Sequence, residues 1–85
     1  MLNSHQIRAA RALLRWSAQE LADKACLGIS TVQRMEGADN IPSASANNLD
    51  AVQKTLEAAG IVFLPDGANI DGGPGVRLKR NALDQ

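Results

Sequence analysis

Two helix-start signatures stand one after the other near the N-terminus, and they constrain most of the fold this chain can adopt. Asn3 with Gln6 three residues on fits a capping box, and Leu2 and Ile7 flank it as a hydrophobic staple. A helix is therefore expected from near Ser4 to near Arg15. Its buried stripe is Ile7, Ala10 and Leu14, with Leu13 alongside and Arg8, Arg11 and Arg15 on other faces. The signature then repeats: Ser17 with Glu20 forms a second capping box and Trp16 with Leu21 a second staple, so helix two opens at Ala18 and Trp16 reads as a core residue. Helix two is short, because Leu21, Ala22 and Ala25 make its apolar side and Cys26-Leu27-Gly28 breaks the period with a glycine suited to a turn. A third helix comes after Gly28, turns Val32 and Met35 inward and is stopped by Gly37 in the C-terminal cap position, with Asp39-Asn40 as loop.

Pro42 and Ser43 mark the start of a fourth and longest helix, whose stripe of Leu49, Val52, Leu56 and Ala59 ends at Gly60. Beyond it the period changes. Ile61 to Leu64 is a short apolar run, Pro65-Asp66-Gly67 a turn, and Val76-Arg77-Leu78-Lys79 alternates apolar with basic, which predicts a β-hairpin with a loose Gly-rich loop. The chain thus reads as mainly α: a bundle of about four helices in residues 1–60, a hairpin extension in 61–80 and a flexible tail in 81–85.

The 85 residues suffice for one modest core and not for the walled pocket that most enzymes build. With 45% hydrophobic and 21% charged residues, the chain is expected to fold rather than remain disordered. No run approaches the roughly 20 apolar residues of a membrane span, and His5, Gln6 and Arg8 argue against a secretory signal, so a cytoplasmic protein without membrane contact is expected. Cys26 is the only cysteine and His5 the only histidine, which excludes an internal disulfide or a clustered zinc site within one chain and leaves Cys26 as a small buried residue. Gly72-Gly73-Pro74-Gly75 lacks the Lys-Ser/Thr and helix of a phosphate loop and reads as a flexible turn. No catalytic residues, metal site or cofactor are expected, since no acid pair or nucleophile-base pairing is apparent. The net charge of +0 lacks the basic surplus usual in proteins that neutralise phosphates, although Arg8, Arg11, Arg15, Lys24 and Arg34 outnumber Glu20, Asp23 and Glu36 in residues 1–37 and leave room for a local basic face.

The segment Ser17-Ala-Gln-Glu-Leu-Ala-Asp-Lys-Ala-Cys-Leu-Gly-Ile-Ser-Thr-Val-Gln-Arg-Met-Glu-Gly37 resembles the helix-turn-helix of lambda-repressor/Cro-like (XRE family) transcriptional regulators. These run Ser-Gln-x-x-Leu-Ala, small residues, Ser/Thr-x-Val/Ile and Arg-x-Glu-x-Gly. The resemblance covers about residues 7–59, and Gly60-Ile-Val-Phe-Leu with Gly72-Gly-Pro-Gly-Val-Arg-Leu looks like the ending of small bacterial regulators of this kind. It implies a lambda-repressor-like bundle whose third helix enters the major groove of double-stranded DNA. By position, Ala18 and Gln19 open helix two, while Ile29, Ser30, Gln33 and Arg34 face the partner from helix three. Arg34 can donate two bonds to guanine, Gln33 can pair with adenine, and Ser30 or Thr31 can reach a phosphate or base. Arg11 and Glu36 resemble a family pair that bridges helices one and three, a structural role. A dimer on a palindromic operator, joined through residues 61–80, would double the few phosphate contacts of one copy. Arg77, Lys79 and Arg80 can instead touch the DNA backbone.

Two positions depart from the family pattern and motivate an alternative. Ala18 stands where a phosphate-fixing Gln is common, and Ile29 stands where most members carry a polar or basic residue. Together with the neutral net charge they suit an antiactivator or adaptor of the same fold, of the quorum-sensing or conjugative-transfer type, that binds a transcriptional activator protein through an exposed Ile29.

Overall fold

The computed structural model describes residues 2–37, 45–67 and 72–80. Within them lie α1 (Ser4–Leu14), α2 (Ala18–Ala25), α3 (Ile29–Gly37), α4 (Ala46–Ala58), β1 (Ile61–Leu64) and β2 (Gly75–Leu78). The fold is mainly helical with a small two-stranded antiparallel sheet.

Both expected capping boxes form. The Gln6 amide donates to Asn3 Oδ1 at 2.8 Å and the Asn3 amide to Gln6 Oε1 at 3.0 Å. Likewise the Glu20 amide donates to Ser17 Oγ at 3.1 Å and the Ser17 amide to Glu20 Oε1 at 3.0 Å. Each box satisfies two of the amides that a helix start leaves without an internal partner.

Helix α1 ends at Leu14 beside Arg15, and the break between α2 and α3 falls on Cys26-Leu27-Gly28, both as expected. Gly28 is the glycine that sequence favours for the turn, yet the left-handed residue after α2 is Cys26, at φ 59° and ψ 43°. Its amide donates to the Asp23 carbonyl at 3.2 Å while the Leu27 amide reaches back to Ala22 at 2.9 Å, the pair of bonds of a Schellman motif. Arg15 ends α1 the same way at φ 59°, with its own amide on Ala12 and the Trp16 amide on Arg11. Cys26 is exposed there and not the small buried residue expected. Gly28 serves instead as the residue before α3, its carbonyl accepting from the Thr31 and Val32 amides. Gly37 is the last helical residue of α3 and not a cap beyond it.

Asp39, Asn40, Pro42 and Ser43, read as loop and helix start, lie outside the described residues, as do residues 81–85. The described fourth helix begins at Ala46, where Ser45 Oγ accepts from the Asn48 amide at 3.2 Å. It is the longest of the four at 13 residues. Gly60 comes next at φ 108°, a backbone angle that only glycine adopts without strain, and it swings the chain into β1.

The core joins Ile7 and Ala10 of α1, Leu21, Ala22 and Ala25 of α2, Val32 and Met35 of α3, Val52 and Leu56 of α4, Ile61 of β1, and Leu2. Leu14 and Trp16 pack against it half-buried, whereas Leu13, placed beside the stripe from sequence, is 40% exposed. In the hairpin Ile61 pairs with Leu78, Val62 with Arg77, Phe63 with Val76 and Leu64 with Gly75. Alternation puts Ile61, Phe63, Val76 and Leu78 on the face that closes the helical core and Val62, Leu64 and Arg77 on the other. The second strand runs one residue earlier than expected, and Lys79 ends the ladder by donating its amide to the Gly60 carbonyl at 2.7 Å.

Gln6 fixes the hairpin to this framework. It is 4% exposed, and after its carboxamide oxygen closes the capping box, its Nε2 donates to the Leu64 carbonyl at 3.2 Å and the Gly75 carbonyl at 3.0 Å. One side chain thereby caps α1 and holds the loop end of the hairpin. Ser4, two residues earlier, is fully buried, and its hydroxyl finds no partner among the described residues. Among those residues no helix is long and apolar enough to cross a membrane.

Candidate functional site

The geometry of α3 comes from how its inner side is tied down. Val32 and Met35 are fully buried, and Glu36 beside them is 9% exposed at its side chain. Arg11 of α1 grips that carboxylate with both edges of its fork: Nε donates to Oε2 at 2.8 Å and Nη2 to Oε1 at 2.8 Å. Its third nitrogen, Nη1, donates to the Trp16 carbonyl at 3.0 Å. The side chain thus fastens the α1–α2 corner as well as α3. The hydrogen bond to Glu36 holds the Arg11 guanidinium above its ordinary range, against desolvation by burial, with the Glu36 charge adding to the rise.

Arg8, assigned from sequence only to a face away from the core stripe, adds a second tie. Its Nη1 donates to the backbone carbonyl of Glu36, in the last turn of α3, and its Nη2 lies 2.7 Å from His5 Nδ1. A cation at a helix C-terminus meets carbonyls that lack internal partners. The sequence carries a signal for this, because Arg8 and Arg11 are three apart and share a side of α1, but nothing local names α3 as what that side meets.

With the inner side fixed, Ser30, Gln33 and Arg34 line one outward stripe of α3 at helical spacing, and all three are exposed. Thr31 is half-buried, with its Oγ1 3.5 Å from Arg34 Nη2, a long contact that leaves the guanidinium able to reach outward. Gln19 on α2 is exposed, and its Nε2 donates to Asp23 Oδ1 at 2.8 Å, so that donor is occupied. Ala18 is half-buried against the core.

Two expectations are corrected by this arrangement. Ile29 is not an exposed apolar residue; it is half-buried and packs against the core together with Leu27 and Ala18. The five basic residues of the N-terminal part do not form one face either. Arg8 and Arg11 serve the α1–α3 seam, Lys24 Nζ sits 5.1 Å from the centre of the Trp16 ring, Arg15 ends α1, and Arg34 alone stands on the α3 stripe. In the hairpin Arg77, Lys79 and Arg80 are exposed.

Among the described residues no group of three or more His, Cys, Asp or Glu side chains is placed to hold a metal ion. What α3 can offer chemically is a rigid polar rod: a hydroxyl, a carboxamide and a guanidinium spaced along one side, suited to hydrogen-bonding a partner. Compared with models of known protein families and with curated proteins, the chain matches none.

Proposed function

We propose that this chain is a small cytoplasmic transcriptional regulator of the lambda-repressor/Cro-like type, with α2 and α3 as a helix-turn-helix that seats α3 in the major groove of operator DNA. The observation that carries the reading is the two-sidedness of α3. Val32, Met35 and Glu36 lock one side, while Ser30, Gln33 and Arg34 project from the other. A reader of base edges needs that combination, since a few side chains must be held in register by a helix that cannot roll.

Charge supports a dimer in this reading. A chain of net charge +0 with one guanidinium on the reading stripe neutralises few phosphates, and two copies on a palindromic site double the number. The outer hairpin face, Val62 and Leu64 beside Arg77, is the proposed contact between copies within residues 61–80. The adaptor reading, in which a transcriptional activator protein docks on Ala18 and Ile29, takes second place because both side chains give part of their area to the core.

The test selects binding sequences from random duplexes and then compares two substitutions. Arg34→Ala is expected to weaken the selected site by about 1–3 kcal/mol and to relax preference at one base pair, with Ile29→Ala mattering less. The reverse order, or no selected sequence, contradicts the proposal.

A further inference from the structure

The two edges of the hairpin are not alike. In antiparallel pairing, residues that exchange bonds alternate with residues that turn their amide and carbonyl away from the partner strand. The Lys79 bond to Gly60 sets that phase, so Val62–Arg77 and Leu64–Gly75 exchange bonds, while Ile61 and Phe63 face out from β1 and Val76 and Leu78 from β2. The β1 edge is shut at its start, because α4 packs against β1 and Ile61 is 1% exposed. Val76 and Leu78 are only half-buried although both pack against the core, and among the described residues neither main chain has a hydrogen-bond partner on its outward side. We infer that the β2 edge accepts an extended acidic segment of a partner protein as a third strand, with carboxylates opposite Arg77 and Lys79 and apolar residues opposite Val76 and Leu78.

The main chain is the first argument. An open edge presents donors and acceptors in alternation and is a template for another strand. A nucleic-acid backbone fits it poorly, since phosphate oxygens only accept and leave the Val76 and Leu78 carbonyls without donors. A second copy fits no better. The symmetric register that uses both Val76 and Leu78 centres on Arg77 and sets it directly against the copy's own Arg77, and like charges in that position are destabilising. The edge is distinct from the outer face of Val62 and Leu64 on which the second copy is placed, and it stands without the DNA reading.

Charge is the second. Arg77, Lys79 and Arg80 are exposed, and none has a carboxylate within salt-bridge distance among the described residues. The elements that frame the edge do not neutralise them: β1, β2 and α1, the helix that packs against β2, contain no Asp or Glu. Asp50 and Glu57 belong to α4, beside β1, and Asp66 to the turn beyond the loop end of the hairpin. Alternation puts Arg77 and Lys79 together on the outer face, so the segment that fits reads acidic and apolar by turns. That demand is narrower than attraction for anions, because it fixes the carboxylates two residues apart on an extended chain.

The experiment uses the whole chain. A random displayed peptide library is selected on it, binding of labelled winners is followed by anisotropy, and hydrogen exchange at the Val76 and Leu78 amides reports whether the edge is occupied. Winners are expected to alternate Asp or Glu with apolar residues over about four positions and to slow exchange at both amides about tenfold. Methylating the peptide nitrogens that face Val76 and Leu78 is expected to weaken binding about tenfold, while methylating the intervening ones leaves it, and both peptides are tested on the unaltered chain. R77Q/K79Q, checked for an unchanged thermal melt, is expected to bind about tenfold more weakly and R77K/K79R to keep binding. Winners without the alternation, equal binding to R77Q/K79Q, methylation that costs the same in both phases, or protection of the two amides by an oligonucleotide or by self-association in place of the peptide would each overturn the assignment.

Discussion

The Arg11–Glu36 pair can be taken apart one side at a time, and the two halves are expected to differ. Glu36→Leu removes two charge-assisted bonds of 2.8 Å but leaves Arg11, whose side chain is 26% exposed and can recover water. Such bonds are worth about 1.5–3 kcal/mol each, and two that share one ion pair do not add, so the expected loss is about 2–3 kcal/mol. Arg11→Met strands a carboxylate that is 9% exposed and also orphans the Trp16 carbonyl. That substitution approaches the range of about 3–5 kcal/mol for breaking a buried pair. Against a total of about 4–13 kcal/mol for 85 residues, Glu36→Leu lowers the melting temperature by about 8–24 °C and Arg11→Met by more. The double variant R11M/E36L is expected to recover about 2 kcal/mol relative to the sum of the singles. Urea unfolding of all four proteins, followed by far-ultraviolet circular dichroism and Trp16 emission, measures the cycle. Additive singles, or Glu36→Leu costing more than Arg11→Met, would refute the claim that this fork locks α3.

Gln6→Glu preserves the capping box but turns a carboxylate toward the Leu64 and Gly75 carbonyls, costing about 2 kcal/mol at neutral pH. The folded state raises that carboxyl's pKa above its unfolded value, so the loss grows as pH rises through about 4.3 and shrinks in acid, which pH-dependent urea melts check. Cys26→Gly relieves the left-handed strain at an exposed side chain and is expected to stabilise by about 1 kcal/mol, raising the melting temperature by about 4–8 °C; an unchanged or lower value contradicts the Schellman assignment. Ser4→Ala removes a buried hydroxyl that has no partner among the described residues and is expected to be neutral or to stabilise by up to about 1 kcal/mol by denaturant midpoint, where a clear loss would reveal a bond to that oxygen.

What can be read before folding is what is decided locally. Both capping boxes, the stripes Ile7–Ala10 and Leu21–Ala22–Ala25, and the inward Val32 and Met35 depend on neighbours within a turn or two, and each forms where its spacing puts it. The break at Cys26-Leu27-Gly28 is legible from its glycine, but which of the three residues turns left-handed is set by the Schellman bonds, which fall at a fixed count from Ala22 and Asp23 and land on Cys26. Leu13 lies at the edge of the stripe, and among the described residues nothing packs over that edge far enough to bury it. The second role of Gln6 is invisible in the sequence because its carbonyl partners lie 58 and 69 residues away. At the candidate site, the order Ser30, Gln33 and Arg34 is legible from helical period alone. The partial burial of Ile29 and the diversion of Arg8 to the α3 terminus depend on how α1, α2 and α3 meet.

The most direct measurement of the central proposal is titration of the whole chain against its selected duplex and a scrambled one at several salt concentrations, with amide chemical shifts recorded at saturation. The expected result is a sequence-selective complex whose log affinity falls linearly with log salt, and shifts concentrated at Ser30, Gln33 and Arg34. Equal affinity for both duplexes, or shifts that bypass α3, would contradict a DNA-reading role for this helix.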